Sequence, residues 1–250
     1  MIGLGRAGHV LVVELQRPPH NFFSVSMIEA VADALEQGAA DLDVRCAVLA
    51  AQGTSFCAGA DFSGDASSGP VSPERLYAAA ARLCALELPW IAAVHGAAIG
   101  GGFGLALTAN LRVTCPEARF SANFVRLGIH QGFGLSVTLP ELVGPSTASL
   151  VLLTGRRFHG DDATALGLAD VCVPADEVRE TALALAAEIA EGAPLAIRAI
   201  NRTMRAGLAE RVLQATRLEA EEQARLGATA DAAEGIRAVS ERRSGRFNGR

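Results

Sequence analysis

The chain of 250 residues contains no lysine: all 22 of its basic residues are arginine. That absence excludes a lysine Schiff base, pyridoxal phosphate held through lysine, and the lysine of a phosphate-binding loop. There is also no C-x-x-C pair. The five cysteines, Cys46, Cys57, Cys84, Cys115 and Cys172, are odd in number and scattered, so they read as reduced, mostly core thiols and not as zinc ligands or a disulfide frame. The five histidines are equally dispersed, and no metal site is expected. No uninterrupted apolar run reaches the ~18 residues of a membrane helix. Nothing near Met1 has the basic-then-apolar pattern of a signal peptide. A net charge of −5 argues against nucleic acid or an anionic membrane surface as partner. The expectation is a cytoplasmic, soluble protein.

What is present is a large supply of core. Half the residues are hydrophobic and a fifth are charged, enough for one generous domain or one domain with an appendage. Val10 to Leu15, Val44 to Ala50, Trp90 to Val94 and Leu111 to Cys115 read as strands. Ser26 to Glu29 forms a capping box, predicting a helix with Ile28, Val31, Ala32 and Leu35 on its inner face that stops at Gly38. The Gly/Ser-rich stretch from Gly59 to Ser72 predicts the longest and most mobile loop. Ser72-Pro73 predicts the cap and first residue of a helix running to about Glu87. Gly100 to Asn110 reads as a helix, and from about Leu139 the pattern is mainly helical. Val178, Ala182, Leu185 and Ile189 mark one helical face, and further helices run from Pro194 to about Leu226. Strand–helix alternation followed by a helical third predicts an α/β core with a helical extension.

Two glycine-rich segments compete as ligand sites. Gly3-Leu4-Gly5-Arg6-Ala7-Gly8 matches the G-x-G-x-x-G pattern, but that pattern holds a dinucleotide only between a strand and a helix. Here a strand follows, so it reads as a chance match. Gly100-Gly101-Gly102, after the strand Ile91 to Val94, opens a helix and brings bare N–H groups toward a ligand. Tight helix packing explains the same glycines.

Ser55-Phe56-Cys57-Ala58-Gly59-Ala60-Asp61-Phe62 resolves the choice. Together with Ile91 to Gly104, Leu139 to Gly144, Leu153 to Arg157, Ala165 to Asp170, Ala193 to Ala196, Glu234-Gly235 and Phe247, it resembles the crotonase, or enoyl-CoA hydratase/isomerase, superfamily from about residue 10 to the end. The resemblance implies a spiral of β-β-α units over residues 1–190, carrying an acyl-CoA site. It also implies a C-terminal helical oligomerisation region at 191–250 and assembly as a homotrimer or homohexamer. It places the thioester oxygen on the backbone N–H groups of Ala60 and Gly101, and coenzyme A against Ala58, Asp61, Phe62 and Phe247. Coenzyme A is then part of the substrate, and no separate cofactor is implied. The tail arginines Arg242, Arg243, Arg246 and Arg250 read either as phosphate contacts or as a solvated terminus.

The resemblance fails at the proton-transfer groups. The family's two glutamates fall at Gly104 and Phe124, and an aspartate used by some isomerases falls at Gly132; neither Gly nor Phe transfers a proton. His130 is the remaining candidate acid or base, or else a hydrogen-bonded brace of its loop. His95 reads as structural and His20 as shaping the coenzyme A entrance. Phe22, Phe23, Phe124 and Phe133 suggest an unusually apolar pocket. The sequence thus leaves an acyl-CoA enzyme of fatty-acid type, a lyase or isomerase with non-standard acid–base chemistry, against a non-catalytic acyl-CoA binder.

Overall fold

A computed structural model describes residues 1–60 and 73–250. Strands β1 (Ile2–Ala7) and β2 (Val10–Leu15) form an antiparallel hairpin, and α1 (Val25–Ala40) follows. Then come three strand pairs, each with a helix after it. β3 (Cys46–Ala51) and β4 (Ser55–Cys57) precede α2 (Pro73–Ala85). β5 (Trp90–Val94) and β6 (Ala97–Ile99) precede α3 (Gly101–Thr108). β7 (Leu111–Thr114) and β8 (Arg119–Ser121) lead through a 3-10 turn at Asn123–Leu127 to α4 (Leu135–Thr154). Short β9 (Phe158–His159), α5 (Gly160–Ala165) and β10 (Val171–Cys172) close the sheets. Helices α6 (Val178–Ala190), α7 (Pro194–Met204), α8 (Leu208–Gly227) and α9 (Ala230–Ser240) complete the chain.

Each pair splits its strands between two sheets. One has the order β1-β2-β3-β5-β7-β10 and the other β4-β6-β8-β9. The central strands are parallel, and among the described residues only β1 with β2 and β8 with β9 run antiparallel. This is the spiral of β-β-α turns the resemblance implied. The inner strands β3 and β5 are almost wholly buried apolar runs, as parallel strands covered on both faces require. Cys46, Cys57, Cys84 and Cys115 are buried free thiols and Cys172 is half-buried, as expected.

Several local expectations change. Gly3 to Ala7 is strand β1 and turns into β2, so no helix terminus stands behind the G-x-G-x-x-G match. The cap of α1 is Ser24, not Ser26: Ser24 is extended and its Oγ accepts the Met27 N–H, whereas Ser26 lies within the helix. That helix also passes Gly38, where a Cβ would lie 2.6 Å from Leu11 Cδ2; the glycine admits a neighbour and does not end the helix. On α6 the most buried positions are Val178, Ala182, Ala186 and Ala190, because alanines let the helix approach the sheet closely, while Leu185 and Ile189 stay half-buried. Helix α4 has the length and mean hydropathy to cross a membrane, although its run is interrupted by polar residues. Gly144, at φ 77° and ψ 161°, breaks it before Pro145, and Leu135, Leu139, Ala148 and Val151 are buried on the core. The expected mobile loop lies mostly at 61–72, outside the described residues.

Candidate active site

The end of β4 and the start of α3 meet because neither carries bulk there. A Cβ on Gly102 would sit 2.0 Å from the Cys57 carbonyl oxygen, so only glycine lets the helix terminus approach this strand. Gly59, at φ 79°, turns the chain after β4 and packs its Cα side against the Ile99 carbonyl and the Gly101 nitrogen. Its own carbonyl accepts the Phe23 N–H at 3.0 Å, and the Ala58 N–H donates to His20. The N–H groups of Ala60 and Gly101 are thereby left at the rim of one cavity, and neither has a hydrogen-bond partner among the described residues. Gly101 is the first residue of α3, where the helix dipole adds partial positive charge. Two such donors are the arrangement that stabilises a developing oxyanion.

The cavity is about 640 Å³ and mostly apolar. Phe22, Phe23, Phe124 and Phe133 all line it, in keeping with the apolar pocket expected. Phe23 lies over Gly101 and stands 6.3 Å from the Phe133 ring. Phe133, 1% exposed and held at φ 62°, fills the space beside Gly104, where a Cβ would come within 2.8 Å of the Phe133 Cβ. Ala58 lines the cavity as expected; Asp61 and Phe62 lie outside the described residues. No Asp, Glu or His is found among the described residues lining it. Cys57, just behind the rim, offers no nucleophile, since burial pushes its thiol up to about 12.

His130 is not part of the cavity wall. Its Nδ1 is 2.9 Å from the Gln131 carbonyl, and its own carbonyl accepts from Gln223 Nε2 at 3.0 Å, so it has the geometry of the loop brace. His95 Nε2 is 3.0 Å from the Gly53 carbonyl, a structural contact as expected. His20 packs beside Phe22 and is not among the described residues lining the cavity. Phe247 is 45% exposed and does not line the cavity either. The tail around it is neither frayed nor free. Asp231 accepts the Asn248 and Gly249 N–H groups, each at 2.7 Å, and Glu234 takes Arg237, Arg243 and the Arg246 N–H.

Five polar side chains of the wall escaped the sequence reading: Tyr77, Asn123, Arg157, Gln223 and Ser240. The chain has one tyrosine, placed at the start of the helix after the long loop, and that singularity was the available signal. Gln223 had none. The wall also draws Gly227 from α8 and Ala232, Ile236, Val239 and Ser240 from α9. The site is therefore built by both regions of the chain, not by residues 1–190 alone.

The class the fold and cavity define is a layered α/β spiral enclosing an apolar cavity, with two backbone N–H groups on its wall that have no partner among the described residues. Comparison with known proteins narrows that class: residues 5–250 match the family described as enoyl-CoA hydratase/isomerase, and the chain belongs to it. It is 37% identical over 203 residues to a probable enoyl-CoA hydratase, EchA14, of Mycobacterium tuberculosis, covering 79% of this chain and 78% of the relative. A probable enoyl-CoA hydratase of Bacillus subtilis is 32% identical over 96% of this chain and 95% of its own. The crystal structure of carnitinyl-CoA hydratase from Mycobacterium avium superposes with a TM-score of 0.88 at 31% identity, covering 100% of this chain and 98% of that one.

Proposed function

We propose that the protein binds an acyl-CoA thioester in this cavity and polarises its carbonyl with the N–H groups of Ala60 and Gly101. The observation that carries the reading is that pair of unpartnered donors at the rim of an apolar cavity, in a chain of this family. As a thioester enolate forms, negative charge collects on the carbonyl oxygen. Each preorganised donor then contributes on the order of 3 kcal/mol to the transition state. Coenzyme A passes Ala58 and belongs to the substrate, so no further cofactor enters. Proton transfer does not follow the two-glutamate pattern in this reading, because Gly104 and Phe124 occupy those places and Phe133 packs over the first. The exposed apolar residues Leu195, Ile200 and Met204 on α7 and Leu218 on α8 support self-association, as a homotrimer or homohexamer in the cytoplasm.

A second reading is favoured by one observation, the lack of any Asp, Glu or His among the described cavity residues: a binder that retains acyl-CoA without converting it. Proton NMR of crotonyl-CoA with the protein in D₂O separates the two. Hydration, or deuterium uptake at C2 or C4 above the protein-free control, is the expected result for the enzyme. Substituting His130 by Ala then leaves that turnover standing, since the ring lies outside the wall; its loss would return His130 to the role of acid or base. Binding without either change establishes the binder.

A further inference from the structure

The cavity holds a polar pair that the reading above does not use. Tyr77 on α2 is 5% exposed, and its hydroxyl donates to Gln223 Oε1 on α8 at 2.6 Å. Gln223 Nε2 donates to the His130 carbonyl at 3.0 Å. These bonds fix which way each group points, so the remaining capacity can be counted. The Tyr77 proton is committed, its oxygen retains an acceptor site, and Gln223 Nε2 retains one N–H. Both atoms face Gly132, where a Cβ would lie 2.4 Å from the Tyr77 hydroxyl and 2.7 Å from Gln223 Nε2. With no side chain at 132 the pair is open to the cavity that both residues line.

Charge narrows what the pair accepts. Burial and the carboxylate of Glu219, one turn before Gln223 on α8, push the Tyr77 phenol well above its ordinary range. It therefore stays protonated and does not serve as a base. The same carboxylate disfavours a phosphate or carboxylate at this end of the cavity. An alcohol on the ligand is a neutral group that meets both needs, donating one hydrogen bond and accepting another at a single oxygen. A carbonyl only accepts, and a hydrocarbon does neither.

We propose that Tyr77 and Gln223 together bind a hydroxyl carried on the acyl chain, and so select hydroxyacyl over unsubstituted acyl thioesters. The inference rests on the acyl-CoA reading above. In it the Tyr77 oxygen accepts the ligand O–H while Gln223 Nε2 donates to the ligand oxygen, with the Tyr77–Gln223 bond and the His130 carbonyl holding the two in place. These are specificity-determining residues and carry no proton to the reacting carbon.

The test is calorimetric titration of the full chain with butyryl-CoA, 3-hydroxybutyryl-CoA and 4-hydroxybutyryl-CoA. Wild type is expected to bind at least one hydroxy thioester about fivefold to thirtyfold more tightly than butyryl-CoA, the range that one or two net hydrogen bonds supply. Tyr77→Phe, which removes only the oxygen, and Gln223→Leu each bring that ratio down to about twofold or less. A wild type with no preference would overturn the proposal, as would a preference that survives both substitutions. Equal loss of all three thioesters in the variants would also overturn it, by marking the pair as structural. Absence of binding by wild type to any of the three is a different failure, because it removes the acyl-CoA reading itself and the inference with it.

Discussion

Replacing Gly102 by Ala tests whether the contact between α3 and β4 makes the site. The new Cβ would start 2.0 Å from the Cys57 carbonyl oxygen and 2.7 Å from its carbon, against a carbon–oxygen separation of at least ~3.3 Å for a relaxed contact. The helix terminus must retreat by roughly 1 Å, since both obstacles are backbone atoms that no rotamer change can move. Overpacking of this kind costs ~1–3 kcal/mol, and alanine's better helix propensity returns at most ~1 kcal/mol. A net loss of ~2 kcal/mol lowers the melting temperature of a chain this size by about 4–8 °C. The same retreat draws the Gly101 N–H away from Ala60, and under the proposed function losing one oxyanion donor is worth ~100-fold or more in turnover. Differential scanning fluorimetry and the crotonyl-CoA exchange assay read the two effects, with acyl-CoA affinity as the readout if the protein only binds. Gly5→Ala is the control: its Cβ would meet only Val12 Cβ at 3.8 Å, and the change should stay within ~0.5 kcal/mol. A Gly102→Ala protein that melts within about 1 °C of wild type and keeps its activity would refute the close-approach argument.

Two further predictions follow from the polar framework. Glu219, 1% exposed, accepts the Gly134 N–H at 2.9 Å and the Ser136 N–H at 3.0 Å; Glu219→Ala strands both donors and should lower stability by ~3 kcal/mol, measured by urea unfolding. A smaller loss than ~1 kcal/mol would mean the 133–136 segment is held by packing alone. Hydrogen bonds from Arg243 and the Arg246 N–H hold the Glu234 carboxyl down at about 2, against 4.5 unperturbed. A lowered folded value means the tail contact is whole above pH 4.5 and is lost as pH falls toward 2. Amide exchange at Arg246, corrected for intrinsic pH dependence, should therefore lose protection only within that window; loss above pH 5 would show that another group holds the tail.

Much of the fold was legible because its elements are locally encoded. Strand β5 is a five-residue buried apolar run and matches its sequence boundaries, and Pro73 starts α2 where its fixed φ suits a first helical position. Where two local signals were equivalent, the sequence could not choose. Ser24 and Ser26 are both competent caps, and the backbone angle at Ser24 decides between them. Gly38 read as a helix stop, and Gly102 equally as a ligand-facing helix start or a packing contact, yet each is a point where another segment comes too near for a Cβ. Strand β1 was hidden by its glycines, which weaken a strand pattern, and became visible only through its register against β2.

By itself, the sequence determined which chemistries are absent and which family the chain resembles. Without lysine there is no Schiff base, and with Gly104, Phe124 and Gly132 at three positions there is no carboxylate on those side chains, whatever the fold. It also carried the order of glycines that expose the Ala60 and Gly101 donors. Tertiary structure decided what surrounds them. His130 and Tyr77 are both titratable residues near glycine-rich text, but the turn of one chain segment sends the histidine ring to the Gln131 carbonyl. The packing of α2 against α8 brings the phenol to Gln223. The second of these outcomes depends on residues 146 positions apart meeting across a helix pair, a relation that local patterns do not record.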